Sequence, residues 1–83
     1  MNEQDLRNFA AESFAEYKSL WHDGSEKPQT GRIMFESTDG GLRFADYDLE
    51  RNRFDCDDEC YYSGMWEHCH IKRWTYEKVL LNL

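Results

Sequence analysis

The spacing of the apolar residues changes once along the chain, near residue 30, and this change limits the secondary structure of each part. Before it, apolar side chains recur at the three- and four-residue intervals of one helix face. The stripe, with one small polar member, consists of Leu6, Phe9, Ala10, Ser13, Phe14, Tyr17, Leu20 and Trp21. Asn2 is a typical N-cap, Gly24 is a typical residue after a helix end, and Pro28 prevents the helix from resuming. The pattern predicts a helix over residues 3–22.

After residue 30 the apolar residues alternate with a period of two, which is typical of strands. Ile33 and Phe35 point to one side of a first strand, and the glycines of segment 38–41 predict a turn. The alternation slips between Phe44 and Ala45 in the return strand, which indicates a bulge. Further strands are predicted over residues 54–60 and 65–74, with segment 76–83 as a fifth strand or a short closing helix.

These segments predict an α+β fold in one domain, residues 1–83. An N-terminal helix, about residues 3–22, packs on an antiparallel meander of four or five strands within the β-rich part, residues 31–83. The chain of 83 residues supports a single thin core. Its five Phe, five Tyr and three Trp replace scarce aliphatic residues in that core.

The same features limit the function and location that we expect. No apolar run approaches the ~18 residues of a membrane span, and no signal peptide precedes the helix, so we expect a cytoplasmic protein. The sequence contains no P-loop, dinucleotide fingerprint or nucleophile elbow, and a chain of this length has little room for a substrate pocket. We therefore expect a binding protein without catalytic residues or cofactor, not an enzyme.

Acidic residues are concentrated in one segment. The chain has 17 acidic and 10 basic residues, a net charge of −7, and seven of the acidic residues lie within residues 46–60. A two-residue loop at Asn52-Arg53, or a four-residue loop closed by Glu50 and Asp55, predicts a hairpin that places six carboxylates on one face. These are Asp46, Asp48, Glu50, Asp55, Asp57 and Glu59. The alternative is a solvated acidic loop with no hairpin.

Such a face predicts a partner, because like charges directly opposite each other destabilise a sheet. Carboxylates along one strand are spaced by two strand rises, ~6.5–7 Å, which is close to the spacing of phosphates on a nucleic-acid strand. An acidic face repels nucleic acid and anionic membranes and attracts the basic grooves of proteins that bind nucleic acid. We therefore expect the partner to be a basic protein of that kind. If the hairpin forms, salt should stabilise it by screening the repulsion.

Zinc is an alternative, because Cys56, Cys60, Cys69 and His70 supply four nitrogen or sulfur ligands. In a continuous strand, however, Cys69 and His70 point to opposite faces, so we expect no zinc. An odd number of cysteines and no secretion signal also argue against disulfides. Residues 55–59 begin like an EF-hand loop, but the sixth and twelfth positions lack the Gly and Glu that this motif requires.

Two tryptophans provide a second candidate contact surface. In the predicted strand 65–74, Trp66 and Trp74 lie on the same face as His68, His70 and Lys72. A face of this mixed composition is not typical of a core, and Trp is frequent at binding hot spots. Trp66 and Trp74 are therefore candidate partner contacts beside the acidic face. The alternative is that they belong to the core of a chain with few aliphatic residues.

In kind, the chain resembles the small acidic phage proteins that act against bacterial defence, which include anti-CRISPR proteins and DNA mimics. The resemblance rests on size, acidity, one helix with a short meander, and the carboxylate-dense segment 46–60. It implies a non-catalytic inhibitor that occludes the nucleic-acid groove of a nuclease or surveillance complex. It assigns no residue roles, because that class shares a strategy and not a fold. Alternatives are a small zinc-stabilised structural or regulatory domain and an acidic immunity protein against a basic toxin nuclease.

Overall fold

The computed structural model describes residues 4–5, 8, 18–57 and 63–82. Within these residues, the strands and the C-terminal helix are β1 (His22–Asp23), β2 (Gly31–Ser37), β3 (Leu42–Asp48), β4 (Arg53–Cys56), β5 (Ser63–Met65), β6 (Ile71–Tyr76) and α1 (Glu77–Leu81). Single-turn 3-10 helices lie at Lys18–Leu20 and Trp66–His68. The six strands form one antiparallel sheet in the order β1-β6-β2-β3-β4-β5.

The predicted α+β fold, with an N-terminal helix on a meander, is wrong. Strands β2 to β5 follow one another as a meander, but β6 returns to the other side of β2 and pairs there with β1, so the whole six-stranded sheet is not a meander. The last residues of the predicted helix form a 3-10 turn and then β1, in which His22 pairs with Trp74. Of the residues before Lys18, the structure describes Gln4, Asp5 and Asn8, which are helical and exposed. The rest of the predicted N-terminal helix lies outside the described residues.

Tertiary contacts explain why residues 18–23 leave the helical pattern. Trp21 is buried against the sheet in one cluster with Met34, Phe44 and Leu80. The carbonyl of Leu20 accepts a hydrogen bond of 2.6 Å from the Thr75 hydroxyl. Strand pairing and burial of a large ring therefore override a helical periodicity that continues in the sequence up to Trp21.

The β2–β3 hairpin confirms the predicted strand, turn and faces. Ile33 and Phe35 face one core cluster, whereas Met34 faces the other, so the central strand is buried on both sides. The predicted bulge between Phe44 and Ala45 is wrong, because the β2–β3 register is regular there. Phe44 and Ala45 are both buried because they pack on opposite faces of the sheet. The irregularity lies in the β2–β6 pairing, between Glu36 and Ser37.

A covering segment, residues 24–29, lies over the larger core cluster and forms backbone hydrogen bonds with the polar groups of three of its aromatic side chains. Its carbonyls accept hydrogen bonds from the indole N–H of Trp66 at 3.1 Å and of Trp74 at 2.9 Å. Its last amide donates to the Tyr76 hydroxyl at 2.8 Å. Pro28 is fully buried. Hydrogen bonds to the segment's backbone thus satisfy both indole donors, which would otherwise be buried without partners.

The continuous strand predicted over residues 65–74 is wrong. The chain leaves β5 at Met65, turns through Trp66–His68, and reverses at His70, whose φ is 52°. This turn carries Trp66 and Cys69 into the core. Of the two interpretations of the tail, the short closing helix is confirmed as α1, which buries Leu80 against the sheet.

Candidate functional site

The acidic face consists of Asp46, Asp48, Glu50, Asp55 and Asp57, which lie on or beside the β3–β4 hairpin. The hairpin exists, but its predicted register is wrong: Asp46 is opposite Asp55, and Asp48 is opposite Arg53. Four residues, 49–52, connect the strands, and the fourth has a left-handed φ of 51°. The observed register differs from the predicted one by an even number of residues, so Asp46, Asp48 and Asp55 still lie on one face of the sheet.

The other members of the predicted row are placed differently. Glu50 lies in the turn, and Asp57 follows the end of β4, where its amide donates to the carbonyl of Phe44 at 3.0 Å. Glu59 lies outside the described residues. Tyr47 and Cys56 are buried, whereas Leu49 is exposed in the turn. The face is therefore smaller than the predicted row of six.

A polar chain fixes the turn that sets this register. The Tyr47 hydroxyl donates to Asn52 Oδ1 at 3.2 Å, and Asn52 Nδ2 donates to Glu67 Oε2 at 2.9 Å. Lys27 of the covering segment also contacts the carboxylate of Glu67. The hydrogen bond from Lys27, which is the larger cause, and the hydrogen bond from Asn52 lower the pKa of Glu67 to about 2. Asn favours the left-handed conformation that this turn requires. The sequence prediction put Asn52 in the loop but missed its partner.

Asp46 and Asp55 are the most accessible strand carboxylates of the acidic face. Their side chains are 67% and 54% exposed, and the two residues are directly opposite in adjacent strands. Such a like-charge pair disfavours the sheet in isolation. Both carboxylates are exposed on the same face of the sheet, so cations from solvent can reach them.

The most extensive contacts of the acidic face are with Arg32, in the neighbouring strand. Nη1 and Nη2 of Arg32 donate to the two carboxylate oxygens of Asp57, Nη1 at 3.1 Å. Nε donates to Glu77 Oε2 at 2.8 Å, and Nη1 lies 3.4 Å from Asp46 Oδ2. The bond with Asp57, the largest cause, raises the pKa of Arg32. The bidentate geometry is the one in which guanidinium and carboxylate bind best.

Sequence reasoning missed Arg32 as a member of this face. A four-residue turn at 38–41 would place Arg32 opposite Tyr47. In the structure the turn is one residue shorter, because the Ser37 amide donates to the Gly41 carbonyl at 3.0 Å, and Arg32 lies opposite Asp46. Glu77, at the start of α1, has no sequence signal either, because its approach depends on how the tail folds over the sheet.

Two further arginines contact the acidic face at its outer end. Arg51 Nε lies 3.7 Å from Asp48 Oδ2, and Arg53 Nε lies 3.1 Å from Asp55 Oδ1. Both arginine side chains are mostly exposed, so these pairs are screened by water and contribute little stability. Three guanidinium groups against five carboxylates leave the described part of the acidic face negative.

The aromatic contact surface predicted from the sequence does not form. Trp66 is 4% exposed and Trp74 is 2% exposed. Their rings meet edge to face with centroids 6.2 Å apart, inside the larger core cluster. The assumed common strand is interrupted by the turn at residues 66–70, so His68 and His70 are exposed while both tryptophans are buried. The structure therefore places Trp66 and Trp74 in the core.

The candidate zinc ligands are divided between core and surface. Cys56 and Cys69 are buried thiols, and His70 is exposed. Burial, first, and the nearby Cys56 raise the pKa of Cys69 to about 11, which disfavours the thiolate that zinc requires. Cys60 lies outside the described residues. Within the described ranges, no group of three His, Cys, Asp or Glu side chains is arranged to hold a metal ion.

Comparison of the chain with protein families, with curated proteins and with solved structures gave no match. In the part of the chain that the structure describes, no helix combines the length and apolar character needed to cross a bilayer.

Proposed function

We propose that this chain is a non-enzymatic binding protein whose acidic face docks on a basic protein that binds nucleic acid. The observation that carries the proposal is the exposed Asp46–Asp55 pair, opposed on adjacent strands and flanked by Asp48. A partner's Lys or Arg side chains relieve the repulsion within this pair as they bind it.

The placement of the carboxylates supports a nucleic-acid-binding partner. Asp46 and Asp48 lie two strand rises apart on one face, ~6.5–7 Å by strand geometry, close to the spacing of phosphates along a strand. A groove lined to bind successive phosphates therefore presents cations at a compatible spacing. We propose the host cytoplasm as the site of action, and a nuclease or surveillance complex of bacterial defence as the partner.

Capture from a bacterial lysate tests this function. The wild-type chain is immobilised beside the double variant Asp46→Asn/Asp55→Asn, and retained proteins are identified by mass spectrometry. We expect the wild type to retain a basic nucleic-acid-binding protein that the variant does not. Added DNA or RNA should release this protein, because the nucleic acid and the acidic face compete for one groove.

Two results contradict the proposal. One is retention of the same protein by the wild type and by the double variant, which places the interface elsewhere. The other is retention unaffected by nucleic acid, which separates the interface from the groove. A basic toxin nuclease among the retained proteins would identify the chain as an immunity protein, with the same acidic face in use.

A further inference from the structure

We infer that Arg32 is a built-in competitor of the partner, which occupies part of the acidic face and sets how tightly that face binds external cations. This inference rests on the proposed function, because it concerns regulation of the same face. It does not add a site: it assigns to one residue of the chain the role of limiting the affinity of that face.

The first support is the geometry of Arg32. Its guanidinium already binds Asp57 through both oxygens and approaches Asp46, which are the contacts that a partner arginine would make. A bidentate guanidinium uses two of the roughly four acceptor sites of a carboxylate, so a second guanidinium cannot bind the same carboxylate in the same two-bond geometry. An external arginine must therefore displace Arg32 to bind Asp57 through both oxygens; otherwise its stronger contacts are with Asp46 and Asp55.

The second support is the way Arg32 is held. Its Nε donates to Glu77 of α1, its guanidinium carbon lies 5.3 Å from the centroid of the Phe44 ring, and its side chain is 29% exposed. Arg51 and Arg53 lack such support and are mostly exposed, so a partner displaces them at little cost. The fold therefore holds the guanidinium of Arg32 in place on the acidic face, whereas Arg51 and Arg53 are not held in this way.

The test measures binding of a ten-arginine peptide by fluorescence anisotropy at low salt. We compare the wild type with Arg32→Gln and with the matched control Lys72→Gln. Lys72 is an exposed residue of β6 that contacts Glu36, so the control has the same change of net charge away from the acidic face. We expect Arg32→Gln to bind about fivefold more tightly than the control, the equivalent of one displaced ion pair.

A second variant keeps the test decisive if Arg32→Gln does not fold. Arg32→Lys keeps the charge and removes the bidentate fork, so it should bind the peptide more tightly than wild type but less tightly than Arg32→Gln. Circular dichroism and thermal melting establish that each variant is folded. If Arg32→Gln is unfolded, the comparison of Arg32→Lys with wild type decides the question.

The outcomes separate this inference from the proposed function. Equal affinity of Arg32→Gln and Lys72→Gln, or of Arg32→Lys and wild type when Arg32→Gln is unfolded, overturns the competitor role alone. The proposed function then still depends on capture of a nucleic-acid-binding protein. Absence of peptide binding by every form overturns the inference, and absence of any captured protein overturns the proposed function.

Discussion

At the residue scale, the structure depends on a few close contacts between backbone segments, which the spacing of apolar residues does not predict. Gly24 is one: its amide donates to the carbonyl of Lys72 at 3.1 Å, and a Cβ added to it would lie 1.8 Å from the carbonyl oxygen of Ile71. The sequence suggested this glycine as a helix terminator. The structure instead requires glycine here because the start of the covering segment lies against the backbone of β6. No local sequence pattern indicates this contact.

Gly24→Ala should therefore destabilise the protein strongly. We expect the free energy of unfolding to fall by about 2–4 kcal/mol, because β6 backbone must move to admit the methyl group. Ser25→Ala, at the exposed neighbouring position, should change it by less than about 0.5 kcal/mol. Urea denaturation measures both values, and similar values for the two variants would contradict this account of Gly24.

At the element scale, the β2–β3 hairpin was predictable and the β3–β4 register was not. Segment 38–41 contains the glycines that fix the first turn, and the alternation of Ile33, Met34 and Phe35 fixes its faces. The second turn depends on Asn52 bonding to Tyr47 and Glu67, the latter 15 residues away. Such long-range contacts also explain why the predicted strand 65–74 is broken and both of its tryptophans are buried.

The Glu67 contacts predict an acid-sensitive turn. The folded-state pKa of Glu67, about 2, lies below that of an unfolded Glu. The resulting stability is fully present above the unfolded pKa and is lost as the pH falls toward the folded value. Between about pH 5 and pH 2, the melting temperature of the wild type should fall more than that of Glu67→Gln.

Thermal melting monitored by circular dichroism over this pH range makes the comparison. Glu50→Gln, at an exposed position in the β3–β4 turn, serves as the control and should retain the pH response of the wild type. Equal pH responses of the wild type and Glu67→Gln would show that the contacts with Lys27 and Asn52 do not stabilise the folded state.

At the scale of the whole molecule, the acidic character is partly compensated within the sheet. The sequence predicted a face of six repelling carboxylates that salt would stabilise. The structure instead pairs the acidic face with Arg32, Arg51 and Arg53, and pairs Glu36 with Lys72 and Arg73. The sequence indicated where the carboxylates share a face. It did not indicate the pairing, which depends on the β3–β4 register and on the position of α1.

This pairing changes the expected response to salt. Raising the NaCl concentration from about 0.05 to 0.5 M should leave the melting temperature unchanged or lower it slightly, because screening weakens attraction as well as repulsion. In Arg32→Gln the same increase should raise the melting temperature, since that variant leaves Asp57 and Glu77 without this cation. A rise of equal size in the wild type would contradict the described ion pairs.

The central claim is that the acidic face, and not general acidity, recognises the partner. Its most direct test is the association rate of the captured protein with Asp46→Asn/Asp55→Asn and with the control Asp23→Asn/Glu26→Gln. Both doubles change the net charge by +2. Of the control residues, Asp23 lies in β1, the edge strand that β6, β2 and β3 separate from β4, and Glu26 contacts His22 of the same strand. At low salt we predict that the acidic-face variant associates about tenfold more slowly than the control. Equal association rates for the two doubles would contradict the claim.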